Sequence, residues 1–189
     1  PSPFKVIAGA SAGGINSVGL VTLHREFKKS TERLAALWSR LNYRDIFKTD
    51  LWSMFWIVVK WIRDLTFGGV RGGGTSRSLL DTTPFAAMLQ SYFPYERIAE
   101  RIAEGDLDAL AITATSYSSG KSITFIQGHE GHPTWNKARR VGLPVEIGND
   151  HIRASAAIPV LFPPVSAKTS GGEEYYGDGC LRLVQPLSP

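Results

Sequence analysis

The sequence has one cysteine, Cys180, in 189 residues, which excludes an intrachain disulfide and leaves the compartment open on that count. Its four histidines, His24, His129, His132 and His151, stand scattered and Cys180 has no cysteine partner. No zinc-ligand spacing exists, and neither metal nor cofactor is expected. Long hydrophobic runs are also missing. The most apolar stretch contains an uncharged run, Leu51–Val59, of nine residues, against the roughly 20 that cross a bilayer. No internal repeat is visible. The chain starts at Pro1 without an initiator Met, enters a strand-like run within three residues, and shows no charged-then-apolar leader. These features are expected of a piece of a longer protein, truncated at both ends, and of a cytoplasmic location with membrane association open.

What is present is ordinary for a folded protein: 43% hydrophobic and 20% charged residues, enough for one sizeable core and one domain over 1–189. The net charge of +4 is unevenly placed. Residues 1–80 hold 12 Lys/Arg against 5 Asp/Glu, whereas residues 81–189 hold 9 against 12. A basic half suits an anionic surface, either membrane or nucleic acid on charge alone. Of the two a membrane is expected, in view of the tryptophan-rich stretch Asp50–Phe67.

The chain alternates strand and helix signals. Phe4–Ala10 reads as a buried strand, and helical spacing follows from Ala12 to about Lys29. Ser30-Thr31-Glu32 reads as the cap of a second helix through Leu41. Asp50–Phe67 is the most apolar helix candidate, with Trp52, Trp56 and Trp61 as candidate substrate or membrane contacts. Gly68–Ser76 follows as a glycine-rich linker of the kind that lets a lid move. Thr83-Pro84 opens a helix to about Tyr92, and Pro94–Glu104 forms another, closed by Gly105. Leu107–Ser116 and Lys121–Gln127 read as paired strands, His129–Arg140 as irregular, and Asn149 or Asp150 as the start of a short helix. Val165–Lys168 and Glu173–Gly177 read as a hairpin that delivers Asp178. This order predicts a layered α/β fold.

Within it, Gly9-Ala10-Ser11-Ala12-Gly13 places a serine between a strand and a helix, the G-x-S-x-G pattern of a nucleophile elbow. A serine in that turn has a strained backbone, so Gly9 and Gly13 are expected to be small for steric reasons. The helix start brings free N–H groups and a positive dipole end, with the Ala12 N–H as first oxyanion donor. A serine hydroxyl needs a base. None of the four histidines stands out for the task. Asp178, between Gly177 and Gly179 in "EEYYGDG", is the other candidate, though Asp-Gly is also a common turn pair.

"GASAGGIN" at 9–16, "ASAAIPVLFPPV" at 154–165 and "YYGDGCLRLVQPLSP" at 175–189 together resemble the patatin-like phospholipase family, and "SRSLLDTTPF" at 76–85 is similar to its segment before the next helix. The resemblance implies a three-layer α/β/α hydrolase fold with a nucleophile elbow. It implies a serine esterase active in lipid degradation, with Ser11 as nucleophile and Asp178 in place of a histidine base. A carboxylate is a weak base for serine, and burial that raises its pKa would help it. Two departures stand out. Cys180 replaces the Gly or Ala after the family's Asp-Gly, and the glycine-rich oxyanion loop expected before the nucleophile is missing, because only ten residues precede Ser11. Gly68–Gly74 has a similar composition but follows Ser11 and reads as lid linker.

The expected activity is therefore acyl-ester hydrolysis on lipid through an acyl-serine intermediate, with a lipid or acyl-ester substrate and peripheral contact with anionic membrane. Acyl transfer would use the same residues. A catalytically silent lipid-binding module and a histidine-dependent α/β-hydrolase are the alternatives from other classes.

Overall fold

A computed structural model describes residues 2–46, 80–159, 161–169 and 172–182. The apolar stretch Asp50–Phe67, with Trp52, Trp56 and Trp61, and the glycine-rich stretch Gly68–Ser76 lie outside the described residues.

The centre of the fold is strand β2 (Ala109–Ser116), whose sequence ALAITATS is small and β-branched and buried at every position. On one edge it pairs antiparallel with β3 (Ser122–Gly128), which pairs parallel with β4 (Arg140–Pro144). Its other edge is shared by two strands. β1 (Val6–Ala10) runs parallel along Ala109–Thr113, and β6 (Gly172–Asp178) runs antiparallel along Ala114–Ser116. Ala10 thus lies opposite Thr113 and Asp178 opposite Ala114, so the ends of β1 and β6 meet head to head. β5 (Val165–Thr169) closes the hairpin with β6, in the register Thr169 to Gly172.

Because side chains alternate along a strand, Ile7, Gly9, Leu110, Ile112, Ala114, Tyr176 and Asp178 share one face of the sheet. Helices α1 (Ala12–Thr22), α2 (Phe27–Arg40), α4 (Thr83–Tyr92), α5 (Glu96–Ala103) and α6 (Asn149–Ser155) contribute to the core built on that face, with α3 (Tyr43–Ile46) beside α4. Val18, Leu89, Ile98 and Ile152 are each fully buried there, about 1.5–3 kcal/mol apiece relative to exposure. The opposite face carries small residues, Ala8, Ala109 and Ala111, packed with Ile126 and Trp135. The mixed sheet with packed helices is consistent with a three-layer α/β/α fold, of which the described residues show the helical layer on the first of these faces.

Two local expectations are corrected. Helix α1 ends at Thr22 rather than near Lys29, because side chains take over its last carbonyls. Arg97 donates to the Thr22 carbonyl at 2.8 Å and Arg33 to the Leu23 carbonyl at 2.6 Å, guanidinium cations at the negative end of the helix dipole. Ser30 does not cap α2. It is buried inside that helix, and its Oγ accepts from the His24 N–H at 3.0 Å and donates to the His24 carbonyl at 2.8 Å. Strand β4 extends beyond the stretch read as irregular. Its sequence, RVGLP, is short and holds both Gly and Pro, so only pairing with β3 makes it a strand.

Candidate active site

Ser11 follows the last residue of β1 and precedes the first of α1. Its backbone sits at φ 53°, ψ −127°, the one positive φ outside glycine among the described residues. Such a conformation costs about 1–3 kcal/mol and persists only when its surroundings hold it. They do so here from both sides. The Ser11 N–H donates to Ser155 Oγ at 2.9 Å, and the Ser11 carbonyl accepts from Gly14 N at 2.9 Å and Ile15 N at 3.3 Å.

The two glycines flanking Ser11 differ. A Cβ on Gly9 would overlap the Gly13 carbonyl and come within 2.6 Å of Ser17 Oγ, so Gly9 is what allows α1 to approach β1. A Cβ on Gly13 would meet nothing within 4 Å. The expectation that both must be small on steric grounds therefore holds for Gly9 and is corrected for Gly13, whose α-carbon faces open space.

Asp178 ends β6 on the same sheet face, with 6% of its surface exposed. Its Oδ2 accepts from Ser11 Oγ at 2.6 Å, and its Oδ1 accepts from the Cys180 N–H at 2.7 Å. Its own N–H donates to the Ala157 carbonyl at 2.8 Å and its carbonyl accepts from Thr115 Oγ1 at 2.9 Å. Gly179 is compelled, since a Cβ there would overlap the Thr113 carbonyl. Burial pushes up the pKa of the Tyr117 hydroxyl and the Cys180 thiol, and the Asp178 carboxylate beside them pushes in the same direction.

Ala12 and Gly13, the first two residues of α1, have N–H groups with no acceptor inside the helix, beside Ser11 and at the positive end of the dipole. The Ser11 N–H is committed to Ser155, which leaves the Ala12 N–H, next along the chain, as the donor beside the serine among the described residues. Ser11 and Ala12 open onto a cavity of about 180 Å³ lined by Ile15, Leu37, Trp38, Leu41, Phe85, Met88 and Phe162 among others. The Trp38 indole N–H donates to Asn16 Oδ1 at 2.7 Å, pinning the α2 wall of the cavity to α1. Apart from Ser11 the lining is apolar among the described residues.

The hydrogen bonds recorded for the histidines lead elsewhere. His24 Nδ1 accepts from Glu26 N at 2.9 Å, and His129 and His132 stack edge to face at 5.3 Å in a loop. His151 is buried against Phe125, its Nδ1 accepting from Gly148 N at 3.1 Å, and burial lowers its pKa. Within the segment 154–165, no local sequence signal marks Ser155 or Ala157 as part of the site. Both are seen here to hold the backbones of Ser11 and Asp178, a contact across 144 residues in the case of Ser155. Among the described residues, no helix is long and apolar enough to cross a membrane.

A serine at a strand-to-helix turn thus lies against a buried carboxylate, at an apolar cavity, in an α/β protein built on a mixed sheet with packed helices. The family model described as Patatin-like phospholipase matches residues 2–188, nearly the whole chain, and the chain belongs to that family. Family membership points to lipid acyl hydrolysis as the general activity. A comparison with curated proteins found no match.

Proposed function

We propose that this protein is a serine lipid acyl hydrolase in which Ser11 and Asp178 act as a catalytic dyad. The observation that carries this reading is the 2.6 Å contact from Ser11 Oγ to Asp178 Oδ2 at the opening of the apolar cavity. In the first half-reaction, Ser11 Oγ attacks the ester carbonyl carbon and its proton passes to Asp178. The Ala12 N–H faces the developing oxyanion. Collapse breaks the ester C–O bond, the leaving alcohol takes the proton from Asp178, and an acyl-Ser11 ester remains. In the second, water attacks that ester, gives a proton to Asp178, and the carboxylic acid leaves as Ser11 Oγ recovers the proton. The bond from Cys180 N to Oδ1 leaves Oδ2 as the oxygen aimed at the serine.

The cavity suits the acyl chain. Its surface is apolar, so a hydrocarbon tail entering it loses contact with water and leaves no polar group unsatisfied. A cavity of about 150 Å³ lined by aliphatic and aromatic side chains accommodates benzene, and 180 Å³ is of that order. A wetted alcohol in place of water as acceptor would turn the same dyad to acyl transfer.

The test is hydrolysis of a nitrophenyl ester together with labelling by a fluorophosphonate. Ser11→Ala and Asp178→Asn are each expected to lower kcat by about 10³-fold or more, and the double variant to be no worse than the worse single one. His24→Ala, His129→Ala, His132→Ala and His151→Asn should retain most activity. A collapse of activity in one folded histidine variant would replace the dyad by a histidine-dependent mechanism. A folded wild type that neither turns over ester nor takes the label at Ser11 would make the protein a lipid-binding module. Release of an ester of an added alcohol, with little free acid, would mark a transferase.

A further inference from the structure

We propose that Ser155 is a positioning residue for the Ser11–Asp178 reaction, an inference that rests on the hydrolase reading above. Ser155 is the last residue of α6 and is fully buried, at 0% exposure. Its Oγ donates to the Thr113 carbonyl at 2.6 Å and accepts from the Ser11 N–H at 2.9 Å. A hydroxyl has one proton to give, and here it is committed to β2, so a lone pair is held toward Ser11. Thr113 is also the β2 residue opposite Ala10, directly before Ala114, which lies opposite Asp178. The bridge therefore ties Ser11 to the β2 position where β1 and β6 meet.

The same short segment holds the other half of the pair. Two residues after Ser155, the Ala157 carbonyl accepts from Asp178 N at 2.8 Å, and Ala156 between them lines the cavity. Residues 155–157 thus grip the backbones of both reacting groups. Ser11 sits in a strained conformation whose N–H would lose its acceptor without Ser155, and a part-buried donor left without a partner is disfavoured. Relaxation of that strain would move Oγ, and misplacement by about 1 Å can cost on the order of 10²-fold in rate.

The role is separable from bulk stability. Ser155→Ala keeps the packed volume and removes only the bridge. Its kcat, counted per site titrated with a fluorophosphonate, is expected to fall 30- to 100-fold with KM changed less than about twofold. A structural role alone would lower the titratable fraction and leave kcat per titrated site unchanged, and that result overturns the proposal. So does a kcat within threefold of wild type. Should Ser155→Ala fail to fold, Gly14→Ala decides. A Cβ on Gly14 would lie 3.3 Å from Ser155 Oγ and crowd it without deleting it, while alanine is the better helix former. Gly14→Ala is then expected to fold and to lose about three- to tenfold in kcat at constant KM; an unchanged kcat overturns the proposal. Ser11→Ala, run in parallel, separates the two readings. If it stays active, the hydrolase reading itself fails; if it is inactive while Ser155→Ala is normal, only the role of Ser155 fails.

Discussion

Gly9 and Gly13 stand at equal distance from Ser11 along the chain, yet only one of them is held by its surroundings. Gly9 faces the first turn of α1 at a distance no side chain permits, whereas Gly13 faces open space. Gly9→Ala is therefore expected to force β1 and α1 apart and to destabilise the protein by about 3 kcal/mol or more. Gly13→Ala should be neutral or stabilising by up to about 1 kcal/mol, as alanine in place of glycine in a helix generally is. Urea unfolding of the two variants reads the difference directly. Equal losses in both would show that the G-x-S-x-G spacing matters for a reason other than contact. Asp178 has the same economy of placement: Oδ2 accepts from Ser11 Oγ, Oδ1 from the Cys180 N–H, and Gly179 is small because the Thr113 carbonyl lies against it.

Among the elements, α6 carries more of the site than its length suggests. Its seven residues run from Asn149, whose Nδ2 donates to the Ala86 carbonyl at 3.0 Å in α4, to Ser155 beneath Ser11. Between them His151 is buried against Phe125 and holds the start of the helix through the Gly148 N–H. Asp150 beside it raises its pKa, but burial is the larger effect, and the net shift is downward from 6.5. As the pH falls through about 6.5 the unfolded chain therefore takes up this proton more readily than the folded one. Stability from this group is present above about pH 6.5 and is lost as the pH falls below it toward the depressed folded pKa. His151→Asn, which retains an acceptor for Gly148, should flatten that fall. Urea unfolding between pH 7.5 and 5 compares the two proteins; parallel curves would assign the acid loss to other groups.

At the scale of the whole molecule, two facts of layout matter. One is the shared edge of β2, where a parallel strand and an antiparallel strand end on adjacent residues and bring position 11 to position 178. The other is the excess of 12 Lys/Arg over 5 Asp/Glu in residues 1–80, against 9 and 12 in the remainder. From this imbalance we propose peripheral attraction to anionic lipid, at about 1 kcal/mol per basic residue near the surface. Co-sedimentation should recover more protein with vesicles containing phosphatidylglycerol than with phosphatidylcholine alone, and 0.5 M salt should abolish the difference. The double variant Trp52→Ala/Trp56→Ala should bind less while hydrolysing a soluble ester normally. Equal binding to both vesicle types would remove the electrostatic part of this reading.

The class of fold was legible from order and pattern alone. Alternating strand and helix periodicities, a serine at a strand-to-helix turn and a Gly-Asp-Gly after a strand are local features, set by which backbone shapes the residues allow. The ends of α1 and α2 were not legible, because Arg33, Arg97 and Ser30 satisfy the His24 region from elsewhere in the chain. Nor was β4, whose short sequence with Gly and Pro shows no strand pattern until β3 pairs with it. The sequence by itself therefore determined the candidate serine and aspartate and the α/β order of elements. Only the tertiary structure decided that Ser11 and Asp178 touch, that Gly9 rather than Gly13 is compelled, and that Ser155 supports the turn. Contacts across 144 and 167 residues depend on strand register, and no local pattern of residues encodes which strand ends will meet.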